Sequence, residues 1–461
     1  MQAINYSGCA HYYSSLRAQR EMGYVPPISM DEAINRSLSY YWELRNKAIV
    51  PAANAKGNNN SKSKKGAAAT PASAPLTSHA LFVPSLIVAI LAMLFASGHS
   101  KLFWVCLALL AWYVHGLYRA SFGAVPSMFV ESARDKLVSR SQRNIVITGA
   151  NRGLGFETAR DLLGRGYASA ASGSTLYLGA RDQKKGEEAR AKLLASFPTA
   201  SVSVLEIDTS SFVSLKAAVA SLKKSGTTVH LLINNAGAMV PTSVTAENHE
   251  AQWASNYLGS FYLVQRMLTQ GVLAPNARVV NVSSLMHHFT SLLAPFSEDD
   301  GVVPKASGHG ASSVGMYCRT KLAQILWSAK QQRVFNEEAA ARRLEQVGKV
   351  AASDSPALLS RRTILSVNPG AVATDFIEHF IPRWLAKAVE PVLMALVEKT
   401  PVQGVQGIVW AAVSAEMENV GGVYADNSRV ILPSKLARDE NTQEMLWKQS
   451  MQAVEAFEAK K

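Results

Sequence analysis

The chain has little cysteine. Its 461 residues include three, Cys9, Cys106 and Cys318. None is spaced as Cys-x-x-Cys, so the sequence contains no zinc-binding pattern and no metal ligands are predicted. The disulfide framework of a small secreted domain is also absent, and we interpret all three as free thiols in a reducing compartment.

Acidic residues are the minority charge, with 34 Asp and Glu against 47 Lys and Arg, which gives a net charge of +13. Such a balance suits nucleic acid, an anionic membrane face or a phosphorylated ligand. No basic run has interleaved aromatics or a nucleic-acid-binding signature, so nucleic acid is not a predicted partner. Because 48% of the residues are hydrophobic and 18% charged, most of the chain has the composition of a folded protein.

The start of the chain lacks the basic run and short apolar core of a secretory signal peptide. We predict that residues 1–79 form a leader. Near 30–49, apolar residues recur at helical spacing, which indicates an amphipathic helix that lies either on a membrane or against protein. Residues 51–78 are rich in Ala, Asn, Ser, Lys, Gly and Pro, and this composition predicts a flexible linker.

Two apolar stretches without Asp, Glu, Lys or Arg follow, at 80–97 and 102–118. As helices each would be roughly 25 Å long, slightly shorter than the ~30 Å hydrocarbon core of a bilayer. We predict that 80–118 anchors the chain in a membrane, either as two short spans or as a hairpin within one leaflet; burial in a protein core is the alternative. Lys and Arg flank the region on both sides and 119–142 is a basic connector, so both flanks are predicted to face the cytosol.

From residue 143 onward, apolar runs alternate with helical periods, which predicts an α/β domain with a doubly wound, Rossmann-type parallel sheet over 143–447 and a tail at 448–461. The predicted strands are 144–148, 175–180, 202–207, 229–234, 278–283, 362–367 and 421–425. The predicted helices are 153–164, 184–196, 212–224, 247–270, 317–344 and 402–415.

A glycine-rich turn follows the first predicted strand directly and leads into a helix. Its glycines are Gly149, Gly153 and Gly155. Such a turn lets the backbone approach a pyrophosphate at the amino terminus of a helix, and the strand–turn–helix context supports a dinucleotide site. The predicted cofactor contacts in this turn also include Asn151, Arg152 and Leu154.

The second predicted strand ends at Arg181, where an acidic residue would bind the ribose hydroxyls of NAD. An arginine cannot accept those hydrogen bonds, but it pairs well with a 2′-phosphate. Arg152 is a second candidate for the same phosphate. These two basic residues predict NADP(H) rather than NAD(H) as the preferred cofactor.

Tyr317 and Lys321 form a Tyr-x-x-x-Lys pattern, and residues four apart share one face of a helix. A nearby ammonium favours the phenolate, so we expect Lys321 to lower the pKa of Tyr317 from about 10. The tyrosine would then exchange the proton that accompanies hydride transfer at a carbonyl or alcohol carbon.

The order of these motifs, with Asn-Asn-Ala-Gly at 234–237 between them, resembles the short-chain dehydrogenase/reductase family over about 143–447. The segments 180–182, 280–288 and 399–404 resemble its retinol dehydrogenase branch. The resemblance implies that Ser284 orients the substrate oxygen. It also implies that Asn256 kinks its helix and holds a water in a proton relay to Lys321.

The resemblance assigns the remaining cofactor contacts. Asp208 follows the third strand and would hold the adenine, while Pro369 and Gly370 would border the nicotinamide and Thr374 would contact its carboxamide. Besides these, the implied cofactor contacts are Asn235, Ala236, Gly237, Tyr317 and Lys321.

The retinol dehydrogenase branch acts on lipophilic aldehydes, alcohols and ketones at membranes, so a lipophilic substrate and a bilayer are the expected partners. The endoplasmic reticulum or lipid droplets are the expected location, and a homodimer is expected by analogy. The stretch between Ser284 and Tyr317 is longer than is usual in the family, which leaves the substrate open. A steroid or fatty-acyl ketone reductase and a non-catalytic NADP(H)-binding membrane scaffold are the alternatives.

Overall fold

The computed structural model describes residues 129–130, 143–241, 243–293, 312–347, 361–370 and 399–460. The predicted leader, the apolar region 80–118 and most of the connector lie outside these residues, as does Thr374. Across the described residues, no helix combines the length and the apolar character that crossing a bilayer requires.

In the described part of the chain, eight strands form one sheet in the order β3-β2-β1-β4-β5-β6-β7-β8. The strands from β1 to β7 pair in parallel, and β8 closes the edge antiparallel to β7. This confirms the predicted Rossmann-type sheet. The strands are Asn144–Thr148 (β1), Leu176–Ala180 (β2), Val202–Glu206 (β3), Val229–Asn234 (β4), Leu273–Val282 (β5), Thr363–Asn368 (β6), Tyr424–Asp426 (β7) and Arg429–Ile431 (β8).

The longer helices cover the two faces of this sheet. They are Gly153–Gly164 (α1), Gln183–Ser196 (α2), Phe212–Lys224 (α3), Gly259–Thr269 (α4), Ser313–Val347 (α5), Pro401–Val413 (α6) and Glu440–Glu458 (α7). Successive side chains of β4 belong to different cores: Leu232 packs with residues of α3, α4 and α5, whereas Leu231 and Ile233 pack with residues of α1, α2 and α6. Burial on both faces explains why these strands are continuous apolar runs in the sequence.

Shorter helical turns precede α4 and α5. A single α-turn at Ala251–Trp253 passes into a π-turn at Ala254–Leu258 before α4 begins. After β5 the chain forms a 3-10 turn at Leu285–Phe289 and a short helix at Thr290–Leu293. The single helix predicted at 247–270 is therefore three helical segments with different hydrogen-bond patterns.

The carboxyl-terminal boundary of the domain differs from the predicted one. Helix α7 continues through residue 447 to Glu458 and buries Leu446, Ser450 and Val454 on one face. Its Ser450 hydroxyl hydrogen bonds the Tyr257 hydroxyl at 2.7 Å. Residues 448–458 of the predicted tail belong to this helix, and Met451, Val454 and Phe457 pack against the core.

One part of the basic connector is held against the domain. The Phe129 N–H donates to Gln406 Oε1 (3.0 Å), and its carbonyl accepts from Arg165 Nη1 (2.9 Å). The Arg165 guanidinium also lies over the Phe129 ring, 5.1 Å from its centroid, and pairs with Asp161. The chain therefore contacts α1 and α6 before it enters β1.

Candidate active site

The predicted site residues meet at the carboxyl edge of the parallel sheet. The glycine turn follows β1, residues 235–237 follow β4, Ser283 and Ser284 follow β5, and Pro369 and Gly370 follow β6. This edge is where ligands bind in open α/β sheets, because loops from adjacent strands converge there.

The glycine turn has the shape of an anion cradle. Gly149 (φ 66°) and Gly153 (φ 58°) adopt left-handed backbone conformations that favour glycine. At Gly149 a Cβ would lie only 3.0 Å from the Ala236 Cα. The N-cap residue of α1, Arg152, makes no side-chain capping bond, and the first turn contains no acidic residue. The amide donors at this end of α1 therefore fit a pyrophosphate.

Thr148 and Asn235 tie the glycine turn to the loop after β4. The Thr148 hydroxyl accepts the backbone N–H groups of Asn235 and Ala236, both at 3.0 Å. The Asn235 amide donates to the carbonyl oxygens of Thr148 (2.9 Å) and Gly149 (3.3 Å). Thr148 was not among the residues singled out from the sequence, because a buried threonine at a strand end has no distinctive local pattern.

Lys321 is buried on α5, one turn after Tyr317. Its ammonium nitrogen lies 5.4 Å from the centroid of the Tyr317 ring and donates to the Val282 carbonyl at 2.7 Å. Gly237 lies close by, since a Cβ there would be 3.6 Å from the Lys321 Nζ. The helical spacing thus brings Tyr317 and Lys321 together beside the end of β5.

The two adjacent serines after β5 have different environments. Buried Ser283 donates its hydroxyl proton to the Lys321 carbonyl at 2.8 Å, which joins β5 to α5. Ser284 is half-buried, and its hydroxyl hydrogen bonds Tyr317 and accepts the Met286 N–H at 3.2 Å. Ser284, the serine that the resemblance singles out, is therefore the one that contacts Tyr317.

Burial controls the protonation of this pair. It lowers the pKa of Lys321 to about 7 and raises the pKa of Tyr317 above its ordinary value, while the hydrogen bond from Ser284 opposes the rise. The sequence led us to expect a lowered pKa for Tyr317, but the loss of solvent penalises the phenolate more than its neighbours stabilise it. A neutral phenol retains the proton that carbonyl reduction requires.

Asn256 lies in the π-turn, is fully buried, and holds the loop that follows 234–237. Its side-chain amide exchanges hydrogen bonds with the N–H and the carbonyl of Ala238, both at 2.9 Å. Its backbone carbonyl accepts from Gln324 Nε2 at 2.7 Å. Asn256 thus lies in a π-turn, a feature that is frequent at functional sites.

Gln324 is a site residue that the sequence did not reveal. Its amide nitrogen binds the Asn256 carbonyl, and its Oε1 lies 3.4 Å from the Lys321 Nζ. A buried side chain therefore links the Asn256 backbone to Lys321. Gln324 is one turn beyond Lys321 on α5, so helical spacing places it on the same face as Lys321 but does not reveal its bond to Asn256.

The remaining predicted cofactor contacts differ in their exposure to solvent. Arg152 and Arg181 are exposed, whereas Asn151 and Leu154 are half-buried. Gly155 packs so closely against the Asn235 amide that a Cβ would be 2.5 Å from Asn235 Nδ2. The half-buried Asp208 carboxylate accepts the N–H (2.9 Å) and the hydroxyl (2.6 Å) of Ser210.

The described residues contain no group of three or more His, Cys, Asp or Glu side chains that could hold a metal ion. The hydroxyl, ammonium and amide groups of Ser284, Tyr317, Lys321 and Asn256 surround the site, and the glycine turn has the geometry to hold a dinucleotide.

A family model described as short chain dehydrogenase matches residues 143–294. Human retinol dehydrogenase 12 is 30% identical over 311 residues, which span 67% of this chain and 85% of that protein. Mouse polyprenol dehydrogenase is 28% identical over 322 residues, 68% of this chain and 84% of that protein. Among solved structures, L-sorbose reductase from Gluconobacter frateurii in complex with NADPH and L-sorbose matches with a TM-score of 0.43 at 17% identity, over 63% of this chain and 97% of that one.

Proposed function

Because the chain belongs to the short-chain dehydrogenase/reductase family, in its retinol dehydrogenase-like branch, we propose that it is a membrane-anchored, NADPH-dependent reductase of lipophilic carbonyl compounds. The family binds NAD(P), and the chain is an oxidoreductase that acts on CH–OH and C=O groups. The observation that carries the proposal is the contact between Ser284 and Tyr317 beside buried Lys321, at the same sheet edge as the glycine turn.

Each catalytic side chain has one task in this proposal. Tyr317 donates its phenolic proton to the substrate oxygen, and Ser284 orients that oxygen by hydrogen bonding. Lys321, held by the Val282 carbonyl and by Gln324 Oε1, lies beside the Tyr317 ring and returns the proton to the phenolate directly, while Asn256 anchors Gln324. NADPH, when bound, supplies the hydride for the carbonyl carbon.

The preference for NADPH over NADH is supported by Arg152 and Arg181, which are exposed at the rim beside the glycine turn and after β2. Replacing Arg181 with alanine should raise the KM for NADPH by about 10–100-fold and leave the KM for NADH nearly unchanged, since a charge-assisted hydrogen bond contributes about 1.5–3 kcal/mol. Steady-state kinetics with both cofactors measures this.

The matched control is Lys192→Ala, which removes an exposed cation from α2 and should leave both KM values unchanged. Equal loss of NADPH and NADH affinity in Arg181→Ala would show that Arg181 does not recognise the 2′-phosphate.

The proposed lipophilic substrate and membrane site rest on the apolar sequence of 80–118 and on the relatives whose names refer to retinol and polyprenol. Residues 376–396, outside the described part of the chain, are also strongly apolar, which suits a lipophilic substrate. We include in the proposal the cytosolic face of the endoplasmic reticulum or of lipid droplets, and a homodimer that only the family analogy supports.

The experiment that tests this function measures NADPH consumption by the detergent-solubilised full-length protein, with NADH in parallel. The panel contains retinal, long-chain aldehydes and steroid ketones. We expect turnover with NADPH on one lipophilic class, and turnover on steroid ketones alone would identify the alternative reductase. Tight NADPH binding without turnover on any member would contradict a reductase of these compounds and favour the scaffold.

A further inference from the structure

A cluster of buried polar residues lies directly behind Pro369 and Gly370. It comprises Asn368 at the end of β6, Asp426 and Asn427 at the turn after β7, and Lys399 just before α6. Asn368, Lys399 and Asp426 are each at most 4% exposed. None of these side chains takes part in the proposed proton transfer or contacts the glycine turn. A lysine and an aspartate are rarely buried without a partner.

Lys399 contacts the Pro369–Gly370 segment. Its ammonium nitrogen donates to the Pro369 carbonyl (3.2 Å) and to Asn427 Oδ1 (2.5 Å). Gly370 has φ 88°, and a Cβ there would lie 2.6 Å from the Lys399 Nζ. The left-handed backbone conformation favours glycine at position 370, and a side chain there would displace the Lys399 ammonium group from its present place.

Asn368 connects the same cluster to the catalytic serine. Its amide nitrogen donates to Asp426 Oδ1 at 3.2 Å. Its amide oxygen accepts the backbone N–H groups of Gly370 (3.2 Å) and Leu285 (3.3 Å). Since Leu285 directly follows Ser284, one buried side chain bridges the loop after β5 and the loop after β6.

Lys399 and Asp426 are connected through Asn427, whose amide oxygen accepts from Lys399 Nζ and whose amide nitrogen donates to Asp426 Oδ2 at 3.4 Å. Burial lowers the pKa of Lys399 and raises that of Asp426, and the attraction between the two groups opposes both shifts. Removing either charge changes the electrostatic environment of the other and leaves one side of Asn427 without its partner. The two residues are therefore coupled through Asn427.

The turn between β7 and β8 has a conformation that serves this cluster. Asn427 (φ 50°) and Ser428 (φ 55°) both adopt left-handed backbone conformations, as a two-residue hairpin of this kind requires. Serine is unfavourable at such a position, and such strain persists only where the surrounding structure enforces it. Here the turn directs Asn427 Oδ1 toward Lys399.

We propose that Lys399 and Asp426 are positioning residues that hold the Pro369–Gly370 segment and, through Asn368, the Ser284 loop as one unit. The inference rests on the proposed function. In that function Pro369 and Gly370 border the nicotinamide and Ser284 orients the substrate, and Lys399 and Asp426 hold these two segments in place relative to each other.

The test compares Lys399→Met and Asp426→Asn, which remove one charge each and nearly preserve side-chain size, in the full-length protein. We expect each to lower kcat/KM for NADPH by about 10-fold or more, because small misplacements of reacting groups cost up to about 100-fold. We also expect the fold-loss of kcat/KM in the double variant to be smaller than the product of the two single fold-losses, because the effects of coupled residues are not additive.

Two controls separate positioning from general loss of stability. Gln332→Leu removes a buried acceptor for the Ile364 N–H, at the other end of β6 from Asn368, and should lower the melting temperature without changing kcat or KM. Lys435→Met removes an exposed lysine and should change neither stability nor kinetics. If Lys399→Met does not fold, Asn427→Gly keeps the turn conformation, removes one Lys399 partner, and should lower kcat/KM by at least about 3-fold.

Unchanged kcat/KM for NADPH in the folded Lys399 and Asp426 variants would overturn the inference. So would an equal loss of kcat/KM in a Gln332→Leu variant whose melting temperature falls by the same amount. Its failure is distinguishable from failure of the proposed function by direct measurement of the NADPH dissociation constant. If the wild-type protein binds NADPH but reduces no panel compound, the proposed function fails, while weaker NADPH binding by Lys399→Met than by Gln332→Leu still supports positioning of the segment.

Discussion

Replacing Tyr317 with phenylalanine should lower kcat by about 10²–10⁴-fold, the usual contribution of a general acid or base. The substitution removes only the hydroxyl that contacts Ser284 and leaves the ring beside Lys321. The glycine turn and the loop after β4 are built from other residues, so the dissociation constant for NADPH should change little. Stopped-flow turnover and fluorescence titration of NADPH measure the two quantities separately.

The matched control for this prediction is Tyr177→Phe. Tyr177 lies on β2, and its hydroxyl hydrogen bonds Thr227 at 3.0 Å, away from the residues that meet at the carboxyl edge of the sheet. Its loss should leave kcat within about 2-fold of the wild-type value. A Tyr317→Phe variant that retained turnover would rule out the proposed proton donor, whatever the substrate.

Strands β1 to β6 and the glycine turn were predictable because their signals are local, whereas the short exposed edge strand β8 was not predicted. Strands β1 and β4 are mostly apolar and buried on both faces; Gly149 follows β1, and Asn234 ends β4. The pair Tyr317 and Lys321 was equally predictable, since helical spacing alone places both on one face.

Gln324, Lys399 and Asp426 were not predictable in the same way. Gln324 reaches the carbonyl of Asn256, 68 positions earlier in the chain, and Lys399 reaches Asn427, 28 positions later. A polar residue in an amphipathic helix or at a strand end has the same local pattern whether or not such a partner exists. Its role arises from the way the sheet brings distant segments together.

The spacing of apolar residues also does not predict the backbone hydrogen-bond pattern of a helix or the burial of individual polar side chains. The π-turn around Asn256 changes the backbone bonding without interrupting the apolar period of its helix, so a continuous helix was expected. Spacing predicted that Lys321 lies near Tyr317, but not that both would be buried, and burial reversed the expected direction of the Tyr317 pKa shift.

Burial gives Lys321 opposite effects on activity and on stability. Its pKa falls to about 7 in the folded protein, whereas an exposed lysine in the unfolded chain has a pKa of about 10.4. Between these values the unfolded chain binds more protons, so the contribution of this group to the free energy of unfolding rises with pH. Below pH 7 the folded state must hold a buried ammonium, and the full destabilisation is present.

Lys321→Met should therefore stabilise the protein while it reduces kcat by about 10²-fold or more. One pKa unit corresponds to about 1.4 kcal/mol, so the lowered pKa of Lys321 means that its burial destabilises the folded protein. Losing the hydrogen bond to Val282 offsets about 1–3 kcal/mol of the stability that the substitution restores. The net gain in the free energy of unfolding is about 1–3 kcal/mol at pH 7.

Thermal unfolding between pH 6 and pH 10 measures this gain, with Lys448→Met, an exposed lysine on α7, as the control. The advantage of Lys321→Met should shrink as the pH rises from 7 toward 10, and the control should show no such trend. A variant that is less stable than the wild-type protein at pH 7 would mean that the ammonium is well compensated in the fold. Lys321 would then act on Tyr317 as a permanently charged lysine.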